Sequence, residues 1–202
     1  LKWEYSFGVV DFSLQGFRGN SRESSTIPKL ERLQLKYFQG YERISQIGSY
    51  VQFISGPIIY KLEAIKRNGQ KNAKNNRENF YSYTLGLEYL INNLFENKWD
   101  LISFIEYHND DRNNDSTDIF QNDLFLATRL NFNNIDGTEI LTSLTLDTDG
   151  GGNTSTLELS SRITDKIRVT GNYNSYWSVN DKDILYSFRR DNYFSINIIN
   201  YF

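Results

Sequence analysis

The only histidine of the chain, His108, stands two residues before Asp110 and three before Asp111. A histidine oriented by a carboxylate is the minimal unit of general-base chemistry, so this trio is the first candidate for catalysis. A second acidic pair that could complete a hydrolytic site is not found, and a histidine at a strand end is more often a surface residue. Oxygen-rich stretches come next, with Asp110, Asp111, Asp115 and Asp118 in one polar segment and Asp147 and Asp149 in another. Calcium takes 6–8 oxygen ligands, but neither stretch has the glycine and closing glutamate of an EF-hand loop, so solvated loops are the better reading. Cysteine is absent, which removes disulfides, thiolate metal sites and cysteine nucleophiles. Phosphate-binding glycine loops and zinc spacings are absent too. No cofactor and no metal is expected, and the chain does not read as an enzyme.

The third constellation is more extensive. Lys61, Glu63, Glu88, Glu106, Arg129, Glu158, Arg162 and Arg168 recur on one phase of an alternating pattern, and Glu4, Asp123, Glu139 and Lys166 share it. The opposite phase carries Trp3, Tyr5, Phe7 and Val9, then Ile47, Val51 and Phe53, then Ile58, Tyr60 and Leu62, then Tyr83, Leu85, Leu87 and Tyr89. It continues through Trp99, Leu101, Ile105 and Tyr107, through Leu124, Leu126 and Leu130, and through Leu157, Leu159, Ile163, Ile167, Val169, Tyr173 and Trp177. A period of two with charge confined to one face describes strands with one apolar and one polar side. A soluble β-sandwich would put its charges outward over a two-sheet core. Here the sorting favours a sheet whose apolar face meets hydrocarbon.

The elements that would position these residues number about ten strands, near 2–15, 43–55, 57–66, 79–90, 98–108, 121–132, 138–147, 155–163, 166–177 and 191–202, in one domain over 1–202. Their connections alternate. Long polar ones are expected over 19–36, 67–79, 109–118 and 180–190, with 147–154 shorter. Tight ones fall at Ser55-Gly56-Pro57, at 131–137 and at Thr164-Asp165-Lys166, with 92–97 somewhat longer. Such asymmetry is how outer-membrane barrels are built, with long loops outside and short turns in the periplasm. Ten strands would place Leu1 at the periplasmic end beside the C-terminus. At Val9-Val10 the alternation slips, which suggests a bulge or a strand end.

Composition agrees with this fold class. The chain is 39% hydrophobic and 15% aromatic, with 14 Tyr and 14 Phe, and its mean hydropathy is −0.57. Nothing approaches the roughly 18 apolar residues of a spanning helix, whereas barrel strands need only about 9–11 residues with half of them polar. The formal charge of −3 carries no nucleic-acid footprint. The chain opens on Leu1-Lys2-Trp3-Glu4 without a basic n-region or apolar h-region, so it reads as a mature protein or the tail of a longer one.

The last strand alternates to the terminal carboxylate, with Phe194, Ile196, Ile198 and Phe202 on one face and Ser195, Asn197 and Tyr201 on the other. It resembles the C-terminal insertion signal of Gram-negative outer-membrane β-barrels, apart from Asn200, where that signal usually has an apolar residue. The stretches Gly56-Pro57-Ile58-Ile59-Tyr60-Lys61-Leu62-Glu63-Ala64-Ile65, Gly86-Leu87-Glu88-Tyr89, Ile105 to Arg112 and Asn122 to Leu130 are similar to segments of a little-characterised group of proteobacterial outer-membrane proteins. That resemblance covers roughly residue 45 to the end. It implies an antiparallel transmembrane β-barrel in the bacterial outer membrane, either whole or the C-terminal part of a larger one, with no catalytic residue to carry over. Omptin-type outer-membrane proteases also have ten strands, but their dyad reads Asp-x-His where this chain reads His108-Asn109-Asp110.

The functional expectation is a porin-like barrel for passive passage or binding of small polar solutes, its interior lined by the charged set above. Alternatively those charges pair and plug a narrow interior, leaving a structural or adhesin-type barrel that acts through its outer loops. Expected partners are outer-membrane lipid and lipopolysaccharide, the barrel-assembly machinery during insertion, and small polar solutes; nucleic acid is not among them.

Overall fold

A computed structural model describes residues 1–32, 34–181 and 183–202. It contains β1 (Lys2–Phe7), β2 (Val10–Glu31), β3 (Gln34–Ser55), β4 (Ile58–Lys71), β5 (Arg77–Leu94), β6 (Trp99–Asp110), β7 (Asn122–Asn131), β8 (Glu139–Asp147), β9 (Asn153–Thr164), β10 (Ile167–Trp177) and β11 (Tyr193–Asn200), with 3-10 turns at Asn113–Asp115 and Ile184–Phe188. All strands form one antiparallel meander in sequence order, and β1 and β11 are its unpaired edges. No helix among the described residues is long and apolar enough to cross a membrane.

The described residues therefore form eleven strands, one more than expected, because residues 2–15 contribute to two. The slip at Val9-Val10 is a strand end rather than a bulge, and the chain reverses there. Phe7 pairs with Val10 across a reversal, and Gly8 there has φ +57°. Gly56 has the same φ in the Gly56-Pro57 turn. A glycine in the first central position suits a two-residue hairpin because it takes positive φ without a Cβ penalty.

The odd count also corrects the position of Leu1. Strands β1 and β11 run in the same direction, so Leu1 and Phe202 lie toward opposite ends of the sheet.

A second correction concerns the expected loop at 19–36. It is mostly strand, since β2 and β3 pair from Val10↔Phe53 to Glu31↔Gln34. Strand β4 accompanies β3 only from Ser45 to Ser55, so the distal part of the β2–β3 hairpin projects as an arm. The expected loop at 67–79 likewise shrinks to 72–76. The asymmetry of the two ends persists. Connections at the Phe202 end are 8–9, 56–57, 95–98, 132–138 and 165–166, whereas the other end carries the arm, 72–76, 111–121, 148–152 and 178–192.

Register aligns the apolar phase into continuous rows. One runs Phe12, Val51, Leu62, Leu85, Tyr107, Leu124 and Leu146 from β2 to β8; the next runs Phe53, Tyr60, Leu87, Ile105, Leu126 and Leu144. Phe194, Ile196 and Ile198 continue this face on β11, opposite Tyr173, Gly171 and Val169. The burial is inverted relative to a water-soluble sheet. Leu85 is 49% exposed, Ile105 48% and Ile198 71%, while the side chains of Lys61 and Glu88 on the polar face are 30% and 20% exposed. Only Ile44, Phe80 and Ala127 are buried apolar residues among those described, against a larger set of buried polar ones.

Candidate functional site

The polar face holds every charged residue expected to line an interior, and the register shows which of them meet. Lys61 Nζ donates to Glu88 Oε2 at 2.8 Å across β4 and β5. Glu106 shares the row of Lys61 through Gly86, and its Oε2 lies 3.5 Å from His108 Nε2. Arg129 donates to Glu139 Oε2 from both Nε and Nη2, at 3.2 and 2.5 Å. Arg168 Nη1 donates to Ser160 Oγ at 3.1 Å, and Arg162 is directly opposite Arg168. Glu63 faces Thr84, and Glu158 faces Leu141 and Asn172. The eight residues therefore share a face but form no single cluster. Two pairs are locally compensated, and Arg162 and Arg168 gather at the tight-turn end.

At the opposite end a second, denser polar system appears where solvated loop was expected. Asp110 and Ser116 are each 2% exposed. Arg112 donates to Asp110 Oδ1 through Nε at 2.9 Å and to Oδ2 through Nη2 at 2.6 Å, while Ser116 Oγ donates to Oδ2 at 3.0 Å. The Arg112 guanidinium lies 3.6 Å from the centroid of the buried Phe80 ring. Such a planar, bidentate pair on an aromatic face is the arrangement in which a buried guanidinium is best satisfied. The sequence carried one faint sign of it: Phe80 is an aromatic on the polar phase of β5, together with Ser82 and Thr84.

Neighbouring connections are tied into this system. Lys74 Nζ donates to Asp115 Oδ2 at 2.9 Å, and Arg67 pairs with Glu23 of the arm. Glu42 binds Lys71 and Arg77; burial works against its charge, but those two cations outweigh it and hold its carboxyl below the usual carboxylate range.

His108 is not paired with Asp110. Its Nδ1 is 3.0 Å from Thr84 Oγ1, its ring stacks on Phe120 with centroids 5.0 Å apart, and the Asp110 carboxylate is taken by Arg112.

Asp123, 3% exposed, lies one residue beyond Leu124, where the apolar belt of β7 ends. Its Oδ2 accepts from the Gln121 N–H at 2.7 Å, and it stands opposite Asp147 in the register. The other loop carboxylates are engaged locally, Asp147 by the Asp149 N–H and Asp149 by Asn122. Among the described residues no three acidic or histidine side chains are arranged to hold a metal ion.

Two connections fold onto the polar face. Phe120 of the β6–β7 connection reaches His108, and Phe188 of the β10–β11 connection stacks on Tyr176 with centroids 6.0 Å apart. Asp183 accepts from the N–H groups of Gly152 and Leu185 at 2.8 and 2.6 Å, joining the β10–β11 connection to the β8–β9 one. The polar face is thus partly roofed at the long-loop end. Comparisons with protein-family profiles, curated proteins and solved structures find no match to this chain.

Proposed function

We propose that this sheet is wall of a porin-like β-barrel in a bacterial outer membrane, letting small polar solutes pass or bind along its charged face. The observation that carries the reading is the inversion of faces. Large apolar side chains, with Leu62, Leu85 and Ile105 exposed among them, stand in rows that run unbroken from β3 to β8, while Lys61, Glu88 and Glu106 occupy the sheltered side. Contiguous apolar surface on this scale marks an interaction surface, and rows crossing six and seven adjacent strands suit lipid better than a protein partner. Short turns at one end and long connections at the other support the same orientation, with the Phe202 end periplasmic. Phe194, Ile196, Ile198 and Phe202 then serve as the insertion signal read by the assembly machinery.

The test is conductance in planar bilayers. Fixed wall charge sets the local counter-ion concentration, so replacing Arg129, Arg162 and Arg168 with glutamine shifts the reversal potential toward cation selectivity. Replacing Glu63, Glu88 and Glu106 with glutamine shifts it the other way. A stably inserted protein with neither conductance nor solute flux into liposomes would refute the pore.

A second reading, an adhesin-type barrel acting through its outer surface, is favoured by the projecting arm. Leu30, Leu35, Tyr37, Phe38 and Tyr41 are exposed there, beyond any neighbouring strand.

A further inference from the structure

Beneath the two inward-folded connections lies a cavity of about 170 Å³. Its wall is built from polar-face residues of three adjacent strands: Thr145 of β8, Thr154 and Thr156 of β9, and Asn174 and Tyr176 of β10. Its roof includes Phe120 and Leu185 from the two connections. The register makes this wall continuous, with Thr145↔Thr154↔Tyr176 in one row and Thr156↔Asn174 in the next. An engineered cavity of about 150 Å³ accepts benzene, so this space fits one six-membered ring.

The chemistry of the lining is selective. It contains hydroxyls, one carboxamide, the rings of Phe120 and Tyr176 and the aliphatic Ile119 and Leu185, and no charged side chain. Thr156 Oγ1 donates to Asn174 Oδ1 at 2.9 Å, which orients the amide. Each ring is braced by another, Phe120 by His108 and Tyr176 by Phe188, so the walls are held before any ligand arrives. Carboxylates stand close by among the described residues. Asp147 faces Asp123, and both Asp147 Oδ2 and Asp183 Oδ2 would crowd a Cβ at Gly151, at 2.1 and 2.3 Å. An anion entering here meets repulsion, whereas a neutral ring bearing several hydroxyls finds hydrogen-bond partners and apolar faces for its C–H groups.

We propose that this cavity is a binding subsite for an uncharged, ring-shaped polyol of monosaccharide size. The proposal rests on the solute-binding reading above and names its substrate class. The wild-type chain, folded in detergent micelles, is titrated with glucose and with gluconate by calorimetry and saturation-transfer NMR. Saturable glucose binding at least tenfold tighter than gluconate binding, and weakened at least tenfold in Tyr176→Ala and in Asn174→Leu, supports the subsite. Absence of saturable glucose binding, equal binding of gluconate, or undiminished binding in both variants overturns it. The wild-type comparison of the two probes decides even if a variant does not fold. Ohmic conductance without glucose binding would sink the subsite and leave the pore standing; glucose binding without conductance would do the reverse.

Discussion

Replacing Leu85 with arginine separates a lipid-facing sheet from a water-facing one. The apolar phase of β5 runs from Tyr81 to Ile91. Ten residue steps at about 3.3 Å cover about 33 Å, and a strand tilt of about 40° reduces this to about 25 Å, the height of the apolar band of outer-membrane barrels. Leu85 is one step from the middle of that span, flanked in register by Leu62 and Tyr107. In water, a 49% exposed leucine tolerates a polar replacement to within about 0.5 kcal/mol. At the midplane of a bilayer, Leu85→Arg is instead expected to destabilise by about 2–4 kcal/mol. Thr84→Ser is the control, because it retains the hydroxyl beside His108 on the polar face and should cost under about 1 kcal/mol. Urea titrations in lipid vesicles, followed by tryptophan emission, read both variants. Equal losses would show that the faces or their surroundings have been assigned wrongly, and Leu126→Arg, on the next row, repeats the test.

Deleting Phe202 should leave periplasmic, protease-sensitive protein; normal outer-membrane levels of the truncated chain would remove the terminal-signal reading. Breaking the Asp110–Arg112 pair with Asp110→Ala strands a buried guanidinium and should destabilise by about 3–5 kcal/mol, with new proteolytic cleavage in 111–121; an unchanged urea midpoint would mean the pair is not closed in solution.

How much of this could be seen in the sequence depended on whether a strand has two unlike faces. From β3 onward the apolar and charged phases assigned by alternation are the faces found in the register, because each residue step inverts the side chain and a slip would have mixed the two sets. Gly56-Pro57 and Thr164-Asp165-Lys166 were also legible, since their residue types punctuate clear alternation. The β1–β2 reversal was hidden because its single glycine lies between apolar neighbours, Phe7 and Val9. The arm was hidden for a different reason. The described residues between 24 and 41 bury neither face, so charges such as Lys29, Glu31 and Lys36 are tolerated on a paired ladder and composition imitates a loop. Ion pairs of the polar face, such as Lys61 with Glu88, join residues 27 positions apart on neighbouring strands and emerge only once the register is known. The roof formed by Phe120 and Leu185 had no signature, since a fold-back onto a sheet leaves no period in a connection.

The inverted faces and the open edges must be considered together. Backbone N–H and C=O groups on the free sides of β1 and β11 cannot remain unpaired in hydrocarbon, where each would cost several kcal/mol. Trp3, Tyr5 and Phe7 carry the apolar phase to one edge, and Phe194, Ile196 and Ile198 carry it to the other, so both edges lie at the depth of the belt. Direction limits how they can be closed. Every neighbouring pair is antiparallel and the strands number eleven, hence β1 and β11 point the same way. A direct seam between them would be parallel, and a second copy in the same orientation would meet the first in the same parallel sense. Antiparallel closure instead requires an odd number of strands between β11 and β1. The width of the interior follows from that choice, because barrel diameter grows with strand number. In a seam of eleven the two inward-folded connections would fill much of the mouth, whereas in a wider barrel they would narrow one side of an open lumen. In the proposed barrel, the strand that lies against Trp3, Tyr5 and Phe7 would therefore decide between a plugged interior and a pore.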